Sequence, residues 1–150
     1  MNNQMNNIDK LLRESGWEVG RKANLEEIKR LYFDSEYEWN EIQNKFLTEY
    51  AYLEIKYMHP IWKQEVVLSL NPLNAQDQIT HDIIEEYEEF LEESLLIIGE
   101  IERENMTLLL AKTGNFYGAY DDCIIKWGTD FKVLIYNLIN GIKGDMVIMD

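Results

Sequence analysis

The stretch MTLLLAKTGNFYGAYDDCIIKW, residues 106–127, constrains the fold of this chain more than any other. Two apolar runs flank Thr113-Gly114-Asn115, a turn-forming triplet, so the chain is expected to fold back on itself as a hairpin over Met106–Tyr120. A third short strand is expected at Cys123–Trp127. Asp121 and Asp122 lie between Tyr120 and the only cysteine, Cys123. That cluster reads either as a catalytic or metal site or as a structural hairpin with an acidic tip.

Neighbouring residues on an extended chain point to opposite faces, and metal-bound carboxylates usually converge from several elements. Asp121 and Asp122 therefore fit exposed charge at a hairpin exit better than a shared cation. Cys123 precedes Ile124-Ile125, and its nearest charges in sequence are carboxylates. These oppose thiolate formation, so buried filler is the expected role. His59 and His81 are the only histidines. Neither lies in an H-x-x-x-H or Glu-x-x-His pair, and the phosphate-loop, dinucleotide, nucleophile-elbow and zinc-protease motifs are all absent.

The remaining pattern mixes strands with helices. Ile8, Leu11 and Leu12 have helical spacing, with Gly16 as the stop. Asn24 and Glu27 resemble a capping pair for a helix carrying Leu25, Ile28, Leu31 and Tyr32. Trp39, Ile42, Phe46 and Leu47 continue the pattern, as one interrupted helix or two short ones. Residues 52–58 alternate apolar and charged and 65–70 read EVVLSL, giving two strands. NPLNAQDQ reads as a turn.

From Thr80 a strong helix is expected, with Ile83, Ile84, Tyr87, Phe90, Leu91 and Leu95 on its apolar side. Thr129 or Asp130 caps a last helix carrying Phe131, Leu134, Ile135, Leu138 and Ile139, stopped by Gly141. The expectation is an α+β fold, one domain over residues 1–150, with a mainly antiparallel or mixed central sheet covered by helices on one side. At 150 residues with 46% apolar residues the chain can bury a core without staples. The opening residues lack the charge and apolar pattern of a secretory leader, and no apolar run approaches the ~20 residues needed to span a bilayer. A reducing cytoplasm is the expected location.

Charge points to a partner. The chain has 28 acidic and 14 basic residues, a net charge of −14. Such a surface repels nucleic acid and anionic lipid and suits a basic protein. On the polar side of the 80–95 helix, Glu85, Glu86, Glu88, Glu89, Glu92 and Glu93 follow one another without a lysine. Like charges at i, i+3 and i, i+4 each cost a few tenths of a kcal/mol. A helix selected only for solubility can alternate its signs.

LLRESGWEVGRK near the start, NPLNAQ in the middle, IIGEIERENMTLLLAKTGNFYGAYDD, then WGTDF and NLING resemble, in order, the SUKH superfamily and within it the SUKH-3 branch. The matching residues are Leu12-Arg13, Gly16-Trp17, Gly20-Arg21, Ile98-Gly99-Glu100, Met106-Thr107-Leu108-Leu109, Gly114, Tyr117-Gly118 and Asp121-Asp122. The chain departs at Tyr50-Ala51-Tyr52-Leu53, where the family often carries Phe-Gly-Gly-Leu, and its tail after Gly141 is unmatched. The resemblance implies a bacterial immunity protein, non-catalytic and free of cofactors. It would bind the C-terminal domain of a cognate polymorphic toxin, often a basic nuclease, as a monomer or weak dimer. Two surfaces are candidates for that contact: Glu85, Glu86, Glu89 and Glu93 on the acidic helix, and Tyr120, Asp121, Asp122 and Trp127 at the hairpin exit. The alternatives are a regulatory scaffold on the same fold, or an enzyme using Asp121 or Asp122 with a divalent metal.

Overall fold

The computed structural model describes residues 2–34, 37–75, 81–101, 106–120 and 123–148. Three helices come first: α1 (Asn2–Glu14), α2 (Glu26–Asp34) and α3 (Glu41–Tyr50). The hairpin β1 (Glu54–Met58) and β2 (Glu65–Ser69) follows, then the short α4 (Pro72–Ala75) and the acidic α5 (His81–Leu91). Strands β3 (Leu95–Ile101), β4 (Met106–Ala111), β5 (Phe116–Tyr120) and β6 (Cys123–Gly128) run consecutively, and α6 (Phe131–Asn140) and β7 (Asp145–Ile148) close the described chain. All seven strands form one antiparallel sheet in sequence order, and the fold is α+β as expected.

Glycines shape the β4–β5 hairpin. Gly114 has φ +97°, a conformation that glycine adopts without steric cost, and closes the β4–β5 hairpin. Gly118 faces Leu108 across that hairpin, and a Cβ there would lie 2.3 Å from Met106 Sδ and 3.0 Å from Trp127 Nε1. Glycine at position 118 lets both side chains cover the strand without shifting.

Both faces of the sheet are covered, not one. One face packs against α1, α2, α3 and α6 through Leu12, Ile28, Leu47 and Leu134. The other packs against α4 and α5 through Ala75, Ile84 and Tyr87. The residues of β4 divide accordingly, Leu108 and Leu110 to the first face and Leu109 and Ala111 to the second. This is why β3 and β4 read as continuous apolar runs, the signature of strands buried on both sides.

Residues 26–50 form two helices. Asn40 N-caps α3 in a full capping box with Gln43, whose buried amide also donates 2.9 Å to the Leu110 carbonyl. NPLN is partly helical, as α4, and not simply a turn. Asp130 is the cap of α6, and Gly141 ends that helix in the left-handed conformation.

The segment between α1 and α2 is a clamp. Gly16 (φ +106°) turns the chain so that Trp17 Nε1 donates 2.9 Å to Glu49 Oε2. The Arg21 guanidinium donates to the carbonyls of Glu49 and Ala51, each at 2.7 Å. It sits where the last carbonyls of α3 lack helical partners and where the helix dipole favours a cation. Just beyond, Tyr52 has φ +72°, a left-handed conformation that favours glycine.

Candidate functional site

Helix α5 lays Ile84 and Tyr87 on the sheet and holds Leu91 half-buried. The sequence reading also placed Ile83, Phe90 and Leu95 on this buried side. Leu95 instead opens β3, because the chain leaves the helix through Glu92 at φ +57°. Ile83 and Phe90 lie at the margin of the stripe and remain 38% and 44% exposed. At 100° per residue they sit together on one flank, with Glu86 beside them and Glu89 beyond.

Asp82, Glu85, Glu86, Glu89 and Glu92 are exposed. Glu86 and Glu89 have no cation partner among the described residues. The ion pairs Lys112–Glu38 (3.3 Å) and Lys132–Asp9 (2.7 Å) lie on other elements.

Two acidic residues at this end of the chain's second layer have internal work. Glu88 Oε2 accepts 2.9 Å from the Leu95 amide and fixes the helix-to-strand turn. Glu93 accepts from the Thr113 hydroxyl, the Tyr117 hydroxyl and, at 3.5 Å, the Asn115 amide. Its carboxylate thus ties the end of α5 to the β4–β5 turn. Burial would raise its pKa, but the three hydrogen bonds and the charge of Lys126 outweigh that and hold it below the ordinary value. Burial and the neighbouring Glu93 push the Tyr117 phenol up.

The acidic helix borders an open cleft of about 960 Å³ lined by Lys29, Phe33, Tyr37 and Trp39 among others. Tyr37 marks the join. Its phenol is pushed up to about 12, by burial first and then by the carboxylates of Glu88 and Glu85. Phe33, at the tip of α2, is almost wholly exposed. Only its unexpected exposure distinguishes it, and the sequence carried no signal for that.

The second candidate surface lies on the other face of the sheet. Tyr120 and Trp127 pack with the helices of the first layer, and Trp127 is only 7% exposed. Its indole Nε1 is buried without a hydrogen-bond partner. Both residues line a groove of about 290 Å³ with Trp62, Met106 and Ile142. Trp62 stacks on His59 at 4.1 Å, and His59 Nδ1 accepts from the amides of Ile61 and Trp62, both at 3.1 Å. His59 therefore shapes a loop that leaves Ile61 and Trp62 largely exposed. Asp121 and Asp122 lie outside the described residues, as does the His81 side chain. The described residues of the two surfaces, those on α5 on the one hand and Tyr120 and Trp127 on the other, fall on opposite faces of the sheet.

Among the described residues no group of three His, Cys, Asp or Glu side chains is placed to hold a metal ion. Cys123 is buried as a free thiol. No described helix is long and apolar enough to cross a membrane.

Comparison with known proteins follows the same line as the fold. No curated protein and no solved structure matches the chain. The model of the SUKH-3 immunity protein family matches residues 5–141, from α1 through the end of α6. The chain belongs to the SUKH-3 immunity protein family.

Proposed function

We propose that this immunity protein neutralises a basic toxin domain, of nuclease type, by stoichiometric and non-catalytic binding in the cytoplasm through the outer face of α5. One observation carries the reading. Ile83 and Phe90 are held half-exposed on a helix whose adjacent carboxylates, Glu86 and Glu89, have no cation partner among the described residues. Apolar anchors, aromatic ones above all, supply most of the energy of an interface, and charge supplies specificity and association rate. This face offers both.

A nuclease cleft is basic because it holds phosphate, so a row of carboxylates occupies it as a phosphate mimic. Opposite charge raises association rates well above the ~10⁵–10⁶ M⁻¹s⁻¹ of uncharged partners. In this reading Glu85, Glu86 and Glu89 face the toxin, and Glu93 holds the helix in place from beneath. Tyr120 and Trp127 lie on the other face of the sheet.

Titration of the cognate toxin domain tests the proposal. Phe90→Ala is expected to weaken binding by at least about tenfold, the range of an interface anchor, with the melting temperature nearly unchanged. Unaltered affinity removes α5 from the interface.

A further inference from the structure

The outer strands of an open sheet carry a row of backbone amides and carbonyls that can pair with another strand. Here β7 occupies the edge beside β6. It pairs antiparallel through Cys123–Ile148, Ile124–Val147, Ile125–Met146 and Lys126–Asp145. β6 is its only substantial neighbour among the described elements, and Met146 stays 46% exposed. Strand β4, in contrast, is buried along its whole length between β3 and β5. A strand with one neighbour and a solvated face belongs to the least stable part of a fold.

The family match ends at residue 141, so α1 to α6 and β1 to β6 fall within it and β7 lies beyond. In this chain the segment beyond residue 141 covers the β6 edge. Gly144 permits the closure. A Cβ there would lie 2.2 Å from the Lys126 carbonyl oxygen and 3.0 Å from Ile125 Cγ2. Ile142 and Lys143, in the same segment, form one wall of the groove lined by Trp62, Tyr120 and Trp127. Departure of the segment opens the edge and the groove together.

We infer that β7 is a replaceable edge strand, and that the β6 edge accepts an extended segment of a partner protein in its place. In such strand addition the main chain supplies affinity and alternate side chains supply specificity. The chain's own segment states the chemistry. An acidic residue stands opposite Lys126, followed by three apolar residues opposite Ile125, Ile124 and Cys123. This inference does not rest on the α5 reading and fails or holds separately from it.

Native-state hydrogen exchange of the full chain reads the opening directly. The amides of Asp145–Ile148 and those of β6 that donate to them are expected to exchange as one unit. Their protection should be at least about 100-fold below that of β4. Equal protection in β7 and β4 overturns the inference.

A second arm uses the synthetic peptide IKGDMVIMD, residues 142–150, titrated by NMR into the wild type and into Gly144→Ala, where the added methyl displaces the chain's own strand. A short tether gives an effective concentration of roughly 1–10 mM, so a closed-to-open ratio of about 100 for β7 itself corresponds to a peptide Kd of about 10–100 µM. Binding to Gly144→Ala in this range, with shifts along β6 and the groove, and at least about tenfold weaker binding to wild type, supports the inference. A folded Gly144→Ala that ignores the peptide overturns it. If that variant does not fold, the exchange measurement on the wild type decides.

Discussion

The Tyr32 hydroxyl on α2 donates a 2.7 Å hydrogen bond to the Ile97 carbonyl on β3, sixty-five residues away. Ile97 stands where the β3–β4 pairing slips, with Ile97 opposite Leu109 and Gly99 opposite Leu108. A bulge leaves a ladder position unfilled, and a phenol from the helix layer claims the carbonyl there. The ring itself is buried, edge-on to Tyr37 and Trp39. Tyr32→Phe keeps the ring and orphans the carbonyl, so it is expected to cost about 1–3 kcal/mol. Urea unfolding checks this, with the midpoint falling and the slope unchanged.

Gly99 lies two residues beyond the same carbonyl, at the seam where β2 meets β3 through only Leu68–Ile101 and Ser69–Glu100. A Cβ on Gly99 would stand 2.2 Å from the Ser69 carbonyl oxygen, which is backbone and cannot turn aside. Gly99→Ala is expected to destabilise by at least about 2 kcal/mol, within the range for overpacking. Gly118→Ala meets the flexible end of Met106 first and should cost less. Thermal melts of the two variants side by side give the order.

Glu93 makes stability depend on acid. Its folded pKa lies below the ordinary 4.5. A carboxylate of this kind contributes stability above its unfolded pKa and loses it as pH falls through the folded value. Unfolding midpoints measured from pH 7 to pH 3 should therefore drop for the wild type below about pH 4.5. Glu93→Gln should start lower at neutral pH and show a shallower acid decline. Parallel curves would mean that the Thr113–Tyr117–Glu93 contact contributes nothing to the pH response.

Local signals were legible in the sequence and long-range ones were not. The cap of α6 at Asp130, its stop at Gly141 and the Gly114 turn are each decided within a few residues. The Asn40–Gln43 capping box is equally local in its Asn-x-x-Gln spacing, but the apolar pattern of Trp39, Ile42, Phe46 and Leu47 runs across it and masks the helix start. The Arg21 clamp spans 28 and 30 residues and has no periodic signature. Ile83 and Phe90 belong to the apolar side that periodicity picks out, but periodicity gives the direction of an apolar stripe and not its width, and the sheet covers only the centre of the stripe. The second helix layer was legible in principle. Leu95–Ile101 and Met106–Ala111 are too uniformly apolar for a sheet with one wet face. Strand β7, four residues long, is too short for any pattern to announce it.

Calorimetric titration of the cognate toxin domain against wild type and Glu86→Lys/Glu89→Lys, at about 50 mM and 500 mM salt, tests the central claim most directly. Exposed charges are screened beyond a few ångströms at the higher salt. The account predicts one-to-one binding by the wild type that weakens with salt. It predicts at least about tenfold weaker binding by the double reversal at low salt, a gap that narrows at high salt, and equal melting temperatures. Binding by the double reversal that matches wild type at low salt would contradict the assignment of α5 as the surface that meets the toxin.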